Sequence, residues 1–295
     1  MKLILIFVLL LIFTFPPNCF SQPAQLQLAD NYFESEQYYN AITEYKRFLF
    51  FNPQYGSAPE IEYRIGLSYK FNQKWTEAVD VFRTISNVSD DSLSYKSRLQ
   101  IGIVYLASGK LDMAEYELLR IATFCKLDLI RNKSDFYLGL CYIYKSDWQN
   151  AKEYLDKYYV NNCQLKTDKL DSILNLSCKF HYRSPSLAKW LSTFVPGSGQ
   201  LYAGDIKNSV NAILINSLTI YLAINSIIGR QIWDLLIIDI TIFERFYNGN
   251  RVKAEDYVID KNAKISESLR KQIISEINKI NNSSDAKKCI GYVEN

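Results

Sequence analysis

Apolar residues recur every three or four positions through the first half of the chain, a spacing that predicts amphipathic helices. In four segments, a small residue is followed by tyrosine three positions later and by alanine twelve positions later. Successive segments start 36 or 37 residues apart, which indicates an array of four helix pairs over residues 22–165. The small residues are Ala29, Gly66, Gly102 and Gly139, the tyrosines are Tyr32, Tyr69, Tyr105 and Tyr142, and the alanines are Ala41, Ala78, Ala114 and Ala151.

These segments resemble the tetratricopeptide repeat, a helix–turn–helix unit of about 34 residues. The resemblance implies an all-α solenoid in which each pair buries its core against its neighbours. Its small residues let the two helices of a pair approach closely, and large side chains such as Tyr45 and Phe82 are expected to fill the space between them. Pro53 stands where the family has a helix-ending proline, which the later segments lack. An amphipathic segment at 166–183 is predicted to cap the array, with His181 on the surface at its end.

The resemblance also implies a binding groove, lined by one face of the first helix of each pair. The predicted groove residues are Leu26, Phe33, Tyr63, Leu67, Phe71, Leu99, Ile103, Leu106, Phe136, Leu140, Ile143 and Tyr144. Almost all of them are apolar, and Lys70 alone does not supply the set of cations and amides that a carboxylate-binding groove needs. We therefore expect an apolar or aromatic segment of a partner protein or peptide in this groove. The alternative is that the protein's own capping helix, or a partner subunit, covers it.

The stretch WLSTFVPGSGQLYAGD, residues 190–205, separates the repeats from a long uncharged run. Its proline and glycines predict a turn, and Asp205 is the predicted cap of the next helix. Residues 209–228 contain no charged side chain and would span about 30 Å as a helix, the thickness of the apolar core of a bilayer. This predicts a membrane-spanning helix.

A second apolar run, residues 232–247, contains Asp234 and Asp239, and carboxylates are costly inside a bilayer. Two interpretations stay open: the helix packs its aspartates against polar residues of its neighbour, or it lies at the membrane interface. With the first run it would form a hairpin domain over residues 184–262, followed by an amphipathic helix and a polar tail at 263–295.

The segments PGSGQLYAG and RFYNGN, on either side of the apolar runs, are similar to the motifs of a bacterial membrane domain that follows repeat arrays and has no assigned function. In this sequence, the motif residues are Pro196, Gly197, Gly199, Gln200, Tyr202, Gly204, Arg245, Tyr247, Gly249 and Asn250. The resemblance implies glycines that allow tight turns, with Gln200 and Tyr202 as polar-tipped anchors at the level of the lipid headgroups.

The first 21 residues combine a lysine, an apolar core and a Pro-Pro break, which predicts a signal peptide cleaved near Ser21. A retained anchor and a lipoprotein modified at Cys19 are the alternatives. With export, the repeats and the C-terminal helix are expected in the periplasm of a bacterial cell envelope, anchored in the inner membrane, with Gly229 and Arg230 at the cytoplasmic face. Cys163 and Cys178 either form a disulfide bond or remain free thiols.

Composition limits the function. The net charge is +3 with mixed signs, so no nucleic-acid partner is expected. The sequence has a single histidine and shows neither a metal-ligand spacing nor a cofactor fingerprint. We therefore expect neither catalysis nor a bound cofactor. We therefore expect an exported, membrane-tethered scaffold that binds an unknown protein or peptide in the groove and membrane lipid through residues 209–247. An accessory subunit or chaperone of an envelope export or assembly complex is the alternative.

Overall fold

The computed structural model describes residues 24–88, 91–161, 167–229, 233 and 244–283. This part of the chain is all-α, as predicted, and contains no strand. Its helices are α1 (Ala24–Glu34), α2 (Tyr38–Phe51), α3 (Ala58–Phe71), α4 (Trp75–Ser86), α5 (Ser92–Ala107), α6 (Leu111–Phe124), α7 (Asp128–Lys145), α8 (Trp148–Asn161), α9 (Asp168–Lys179), α10 (Pro185–Phe194), α11 (Ser198–Ala203), α12 (Ile206–Ile228) and α13 (Glu244–Asn281). The predicted signal peptide, residues 234–243 of the second apolar run, and Cys163 lie outside the described residues.

The chain divides into two compact units, residues 1–141 and 142–295. In the first unit, consecutive helices from α1 through α6 pack against each other in chain order, and α3 also contacts α5. The predicted burial is confirmed: Ala41, Ala78 and Ala114 have no exposed surface, and neither have Tyr45 and Phe82. The first unit is therefore a stack of helix pairs with a core of alternating small and large side chains.

Gly66 lies where α3 crosses α4. A Cβ atom added at this position would lie only 2.7 Å from Cε1 of the buried Phe82 ring. Carbon atoms in contact are normally about 3.5–4.0 Å apart. The missing side chain therefore sets how closely the two helices of this pair approach.

The turn between the two helices of a pair has the same geometry in all four repeats. Four residues after the repeat tyrosine, the backbone is left-handed, and the next amide donates back to the tyrosine carbonyl over 2.8–2.9 Å. This is the Schellman ending of a helix, in which two backbone bonds satisfy carbonyls that the last turn leaves unpaired. The left-handed residues are Glu36, Gln73, Gly109 and Ser146, with φ between 57° and 76°. Only one of the four is glycine, so the repeat imposes this turn on residues that do not favour it.

Three hydrogen-bonded polar side chains, one of them the buried Tyr45, lie at the first repeat. The Tyr45 hydroxyl donates to Asp30 Oδ1 over 2.6 Å, and Arg64 pairs with the same carboxylate oxygen. Burial raises the pKa of Tyr45, and the hydrogen bond to Asp30 raises it further. The group links α1, α2 and α3.

The second unit is organised around α13, which contacts α9, α10, α11 and α12. A separate amphipathic helix was predicted to begin at residue 263, but α13 runs without a break from Glu244 to Asn281. The continuity has a physical reason: no proline or helix-ending turn interrupts the chain between the motif RFYNGN and the amphipathic segment.

The predicted capping segment contains α9, which is shorter than expected and buries Leu170 and Leu174. It contacts α8, the last helix of the fourth pair, and also α13. His181 follows the helix and is exposed, as predicted. Cys178 is a free, half-buried thiol.

We expect Gly66→Ala to destabilise the protein by about 1–2 kcal/mol. Alanine normally stabilises a helix by up to about 1 kcal/mol relative to glycine, so a loss identifies the contact with Phe82. The matched control is Gly56→Ala, because a Cβ at Gly56 would meet no atom within 4 Å. Urea unfolding of the full-length protein in mild detergent measures both changes. A more stable Gly66→Ala variant would show that the helices do not approach as described.

The free energy of unfolding should depend on pH through Tyr45. Because the pKa of Tyr45 in the folded protein is above the unfolded value of about 10, its contribution to stability is present below pH 10 and is lost as the pH rises further. The free energy of unfolding of the wild type should therefore fall more steeply between pH 9 and pH 11 than that of Tyr45→Phe, when measured by urea titration with circular dichroism. Tyr116→Phe, which removes an exposed hydroxyl, should keep the wild-type slope. Parallel curves for Tyr45→Phe and the wild type would contradict the prediction.

Candidate functional site

The twelve predicted groove residues lie on α1, α3, α5 and α7, the first helices of the four pairs. Phe71 and Tyr144 are exposed. The half-buried members are Phe33, Tyr63, Leu67, Ile103, Leu106, Phe136 and Leu140. Leu26, Leu99 and Ile143 differ from the expectation, because only 0–5 % of their surface is exposed. They belong to the core beneath the face and cannot line a groove.

Three aromatic rings meet at the α1 end of this face. The ring centroids of Phe33 and Phe71 are 6.0 Å apart, and Tyr38 stacks on Phe71 at 5.3 Å. Tyr38 is the first residue of α2, a second helix of a pair, so reasoning from the first helices alone missed it. The cluster shows that α1 and α3 contribute side chains to one continuous surface.

Polar groups connect α3 to α5 on the same face. Lys70 Nζ donates to Gln100 Oε1 over 2.8 Å, and Gln100 Nε2 donates to the Tyr63 hydroxyl over 3.1 Å. The Lys70 ammonium also lies 4.7 Å from the centroid of the Phe71 ring. The sequence offered one signal for Gln100: it lies three residues before Ile103, on the same side of a helix.

Burial changes the acid–base behaviour of this polar row. Desolvation lowers the pKa of Lys70, and no carboxylate among the described residues pairs with it. Desolvation raises the pKa of Tyr63, with a smaller contribution from the nearby Tyr137 of α7. The face therefore holds one half-buried cation among aromatic rings.

The α7 residues of the second unit have a different setting. The Arg270 guanidinium of α13 lies 5.5 Å from the centroid of the Tyr144 ring. Another helix of the protein thus covers part of this predicted groove position.

The membrane-domain motif residues occupy two places in the second unit. The first group surrounds α11, which begins after Gly197 and ends before Gly204, both with left-handed backbones. The second group, Arg245 to Asn250, lies in the first two turns of α13. Pro196, Tyr202, Tyr247 and Gly249 are half-buried, and Arg245 is exposed.

Gln200 joins the two groups. Its Nε2 atom donates to the backbone carbonyl of Asn250 over 3.0 Å and to the Asn250 side-chain oxygen. Its Oε1 atom accepts from the Ser192 hydroxyl over 3.3 Å. Gln200 is 2 % exposed, so it does not occupy the surface position expected of a headgroup anchor. The sequence did not indicate that residues 50 positions apart bond to each other.

Gly199 allows this arrangement. Its amide donates to Ser192 Oγ over 3.0 Å, and a Cβ at this position would lie 2.8 Å from the Ala254 Cβ atom and even closer to the Ala188 carbonyl. Helices α10, α11 and α13 therefore meet where no side chain intervenes.

Tyr202 fixes the other end of α11. Its hydroxyl accepts from the Ser184 amide over 3.1 Å, and the Arg183 guanidinium lies 5.6 Å from its ring centroid. Lys261 of α13 donates to the Ala203 carbonyl over 2.8 Å, which places a cation at the negative end of a short helix. The motif is thus a set of contacts between helices.

Residues 133–161 match the tetratricopeptide repeat family. A search of the curated proteins finds no match. The matched segment contains most of α7 and all of α8, and α1 to α6 have the same turn geometry and the same buried alanines. The helical repeats of this chain are therefore of the tetratricopeptide type, an architecture whose usual role is to bind other proteins.

Proposed function

We propose that this protein is a non-enzymatic scaffold, exported from the cytoplasm, that holds a protein-binding repeat array at a membrane. The single observation that carries the binding role is the row of aromatic and polar side chains shared by α1, α3 and α5. Such a row joins several helices into one surface, which a partner can contact along its length.

The side chains of this row indicate what kind of partner segment would bind. Phe71 is 48 % exposed and offers an aromatic surface, and the neighbouring Lys70 is a cation without a carboxylate partner among the described residues. A segment that combines apolar or aromatic side chains with one acidic group complements both features.

The membrane role is supported by α12. It has 23 residues, and only 17 % of its most apolar window is buried. At 1.5 Å per residue it is about 34 Å long, enough to cross the apolar core of a bilayer. Large side chains such as Leu214, Leu218 and Ile228 are more than half exposed, which is costly in water and favourable in lipid. The predicted signal peptide supplies the export.

Site-specific crosslinking tests the binding face. A photoreactive phenylalanine analogue placed at Phe71 should crosslink the partner in cells, whereas the same analogue at Tyr116, an exposed position on α6, should not. Lys70→Glu should weaken the crosslink from position 71 about tenfold, because it places a negative charge opposite the acidic group of the partner.

The identity of the crosslinked peptide, read by mass spectrometry, separates the outcomes. A peptide from another protein supports the proposal. A peptide from this chain itself would mean that the face is covered by the protein's own helices or by a second copy. Equal crosslinking from positions 71 and 116 would also overturn the binding role of this face.

Cysteine labelling tests the tether. In a variant without native cysteines, a reporter cysteine at Lys207, before the apolar part of α12, should react with a membrane-impermeant maleimide in spheroplasts. One at Gly229, at the other end of the helix, should react only after permeabilisation. Both positions are exposed, so burial does not explain a difference. Labelling of position 229 from outside would show that α12 lies on the membrane and does not cross it.

A further inference from the structure

A cavity of about 590 Å³ lies between the first half of α12 and the first turns of α13. Two cations of α13, Arg245 and Lys253, line it. Neither forms an ion pair with a described residue, and no aspartate or glutamate of the described chain is part of the lining. The charged groups among the described lining residues are therefore both cations, which attract an anion.

In each of two buried amides of the same lining, one polar atom has no partner among the described residues. Asn216 is 2 % exposed: its Nδ2 donates to the Ala212 carbonyl over 2.7 Å, and its Oδ1 accepts from no described residue. Asn250 is 7 % exposed: its Oδ1 accepts from Gln200, and its Nδ2 donates to no described residue. Buried polar groups are normally paired, so these atoms call for a ligand that both donates and accepts hydrogen bonds.

The lining also contains the amides Gln200, Asn208 and Asn211, and its apolar side chains lead to the surface of α12. Ile215 and Phe246 belong to this lining, and about two fifths of each side chain is exposed. Beyond Ile215, the exposed side chains of α12 are mostly apolar. A ligand with a polar head in the cavity and a hydrocarbon chain along α12 would contact both kinds of surface.

We propose that this cavity binds the headgroup of an anionic glycerophospholipid that carries free hydroxyls, of the phosphatidylglycerol type. The phosphate accepts hydrogen bonds from Arg245, Lys253 and the free Nδ2 of Asn250. A headgroup hydroxyl donates to Oδ1 of Asn216, which a fully deprotonated phosphomonoester cannot do. The inference rests on the membrane association proposed above.

Native mass spectrometry of the full-length protein in detergent tests the site. Dioctanoyl phosphatidylglycerol should bind about tenfold more tightly than dioctanoyl phosphatidylcholine. Arg245→Gln combined with Lys253→Gln should abolish this preference. The matched control, Lys207→Gln combined with Lys264→Gln, removes two exposed cations of the same unit outside the cavity and should preserve it.

Asn216→Leu tests the hydroxyl contact separately. At an alkaline pH that fully deprotonates phosphatidic acid and leaves it without a hydroxyl, the wild type should prefer phosphatidylglycerol, and the variant should bind the two lipids equally. Circular dichroism and co-sedimentation with membranes establish that each variant is folded and membrane-associated.

Several results would overturn the proposal. Equal binding of phosphatidylglycerol and phosphatidylcholine by the wild type would do so, and so would an equal loss of the lipid preference in the control variant. Competition by inorganic phosphate as strong as that by the lipid would assign the cavity to a free anion. A protein that associates with membranes without a lipid preference refutes only this site. A protein that does not co-sediment with membranes refutes the membrane association as well.

Discussion

Helices in this protein approach each other where one of them has no side chain, and most of the other contacts depend on that approach. In the repeats, the glycine of α3 faces the ring of Phe82, and the ring takes the volume that a Cβ would need. In the second unit, Gly199 lies against Ala188 and Ala254 in the same way. Dispersion forces are short-ranged, so a wider separation would lose contacts along the whole crossing. In the second unit it would also pull Gln200 away from Asn250.

The sequence predicted the packing features that recur in each helix pair. The spacing from Gly66 to Ala78 identifies both the crossing point and the buried alanine, because packing within a helix pair depends on residues a few turns apart. It did not predict the bonds of Gln100 to Lys70 and Tyr63, which are 30 and 37 residues away. Those bonds depend on how far neighbouring helices are displaced along their axes, and no spacing within a single helix records that displacement.

The membrane-domain motif shows the same limit. Gly197 and Gly204 lie at turns, as predicted, but Gly199 and Gly249, which were also expected at turns, lie inside α11 and α13. Gln200 was expected at the surface and is buried. A glutamine beside an apolar run fits a membrane interface as well as it fits a contact between helices. Only the position of its partner, Asn250, distinguishes the two. As a result, the base of α12 is a hydrogen-bonded block: Ser209 donates to the Gly197 carbonyl over 2.8 Å, and Asp205 caps the helix through the Asn208 amide. A rigid base of this kind fixes the direction in which the apolar helix leaves the rest of its unit.

The shared turn of the four repeats has a consequence for how such an array grows. Every turn within a pair ends its first helix with the same two backbone bonds, whereas the connections between pairs differ in length, from residues 52–57 to residues 125–127. Changes in length are thus confined to one edge of the stack. Duplication or deletion of one full period, from one such turn to the next, would therefore leave the same turn geometry at the junction.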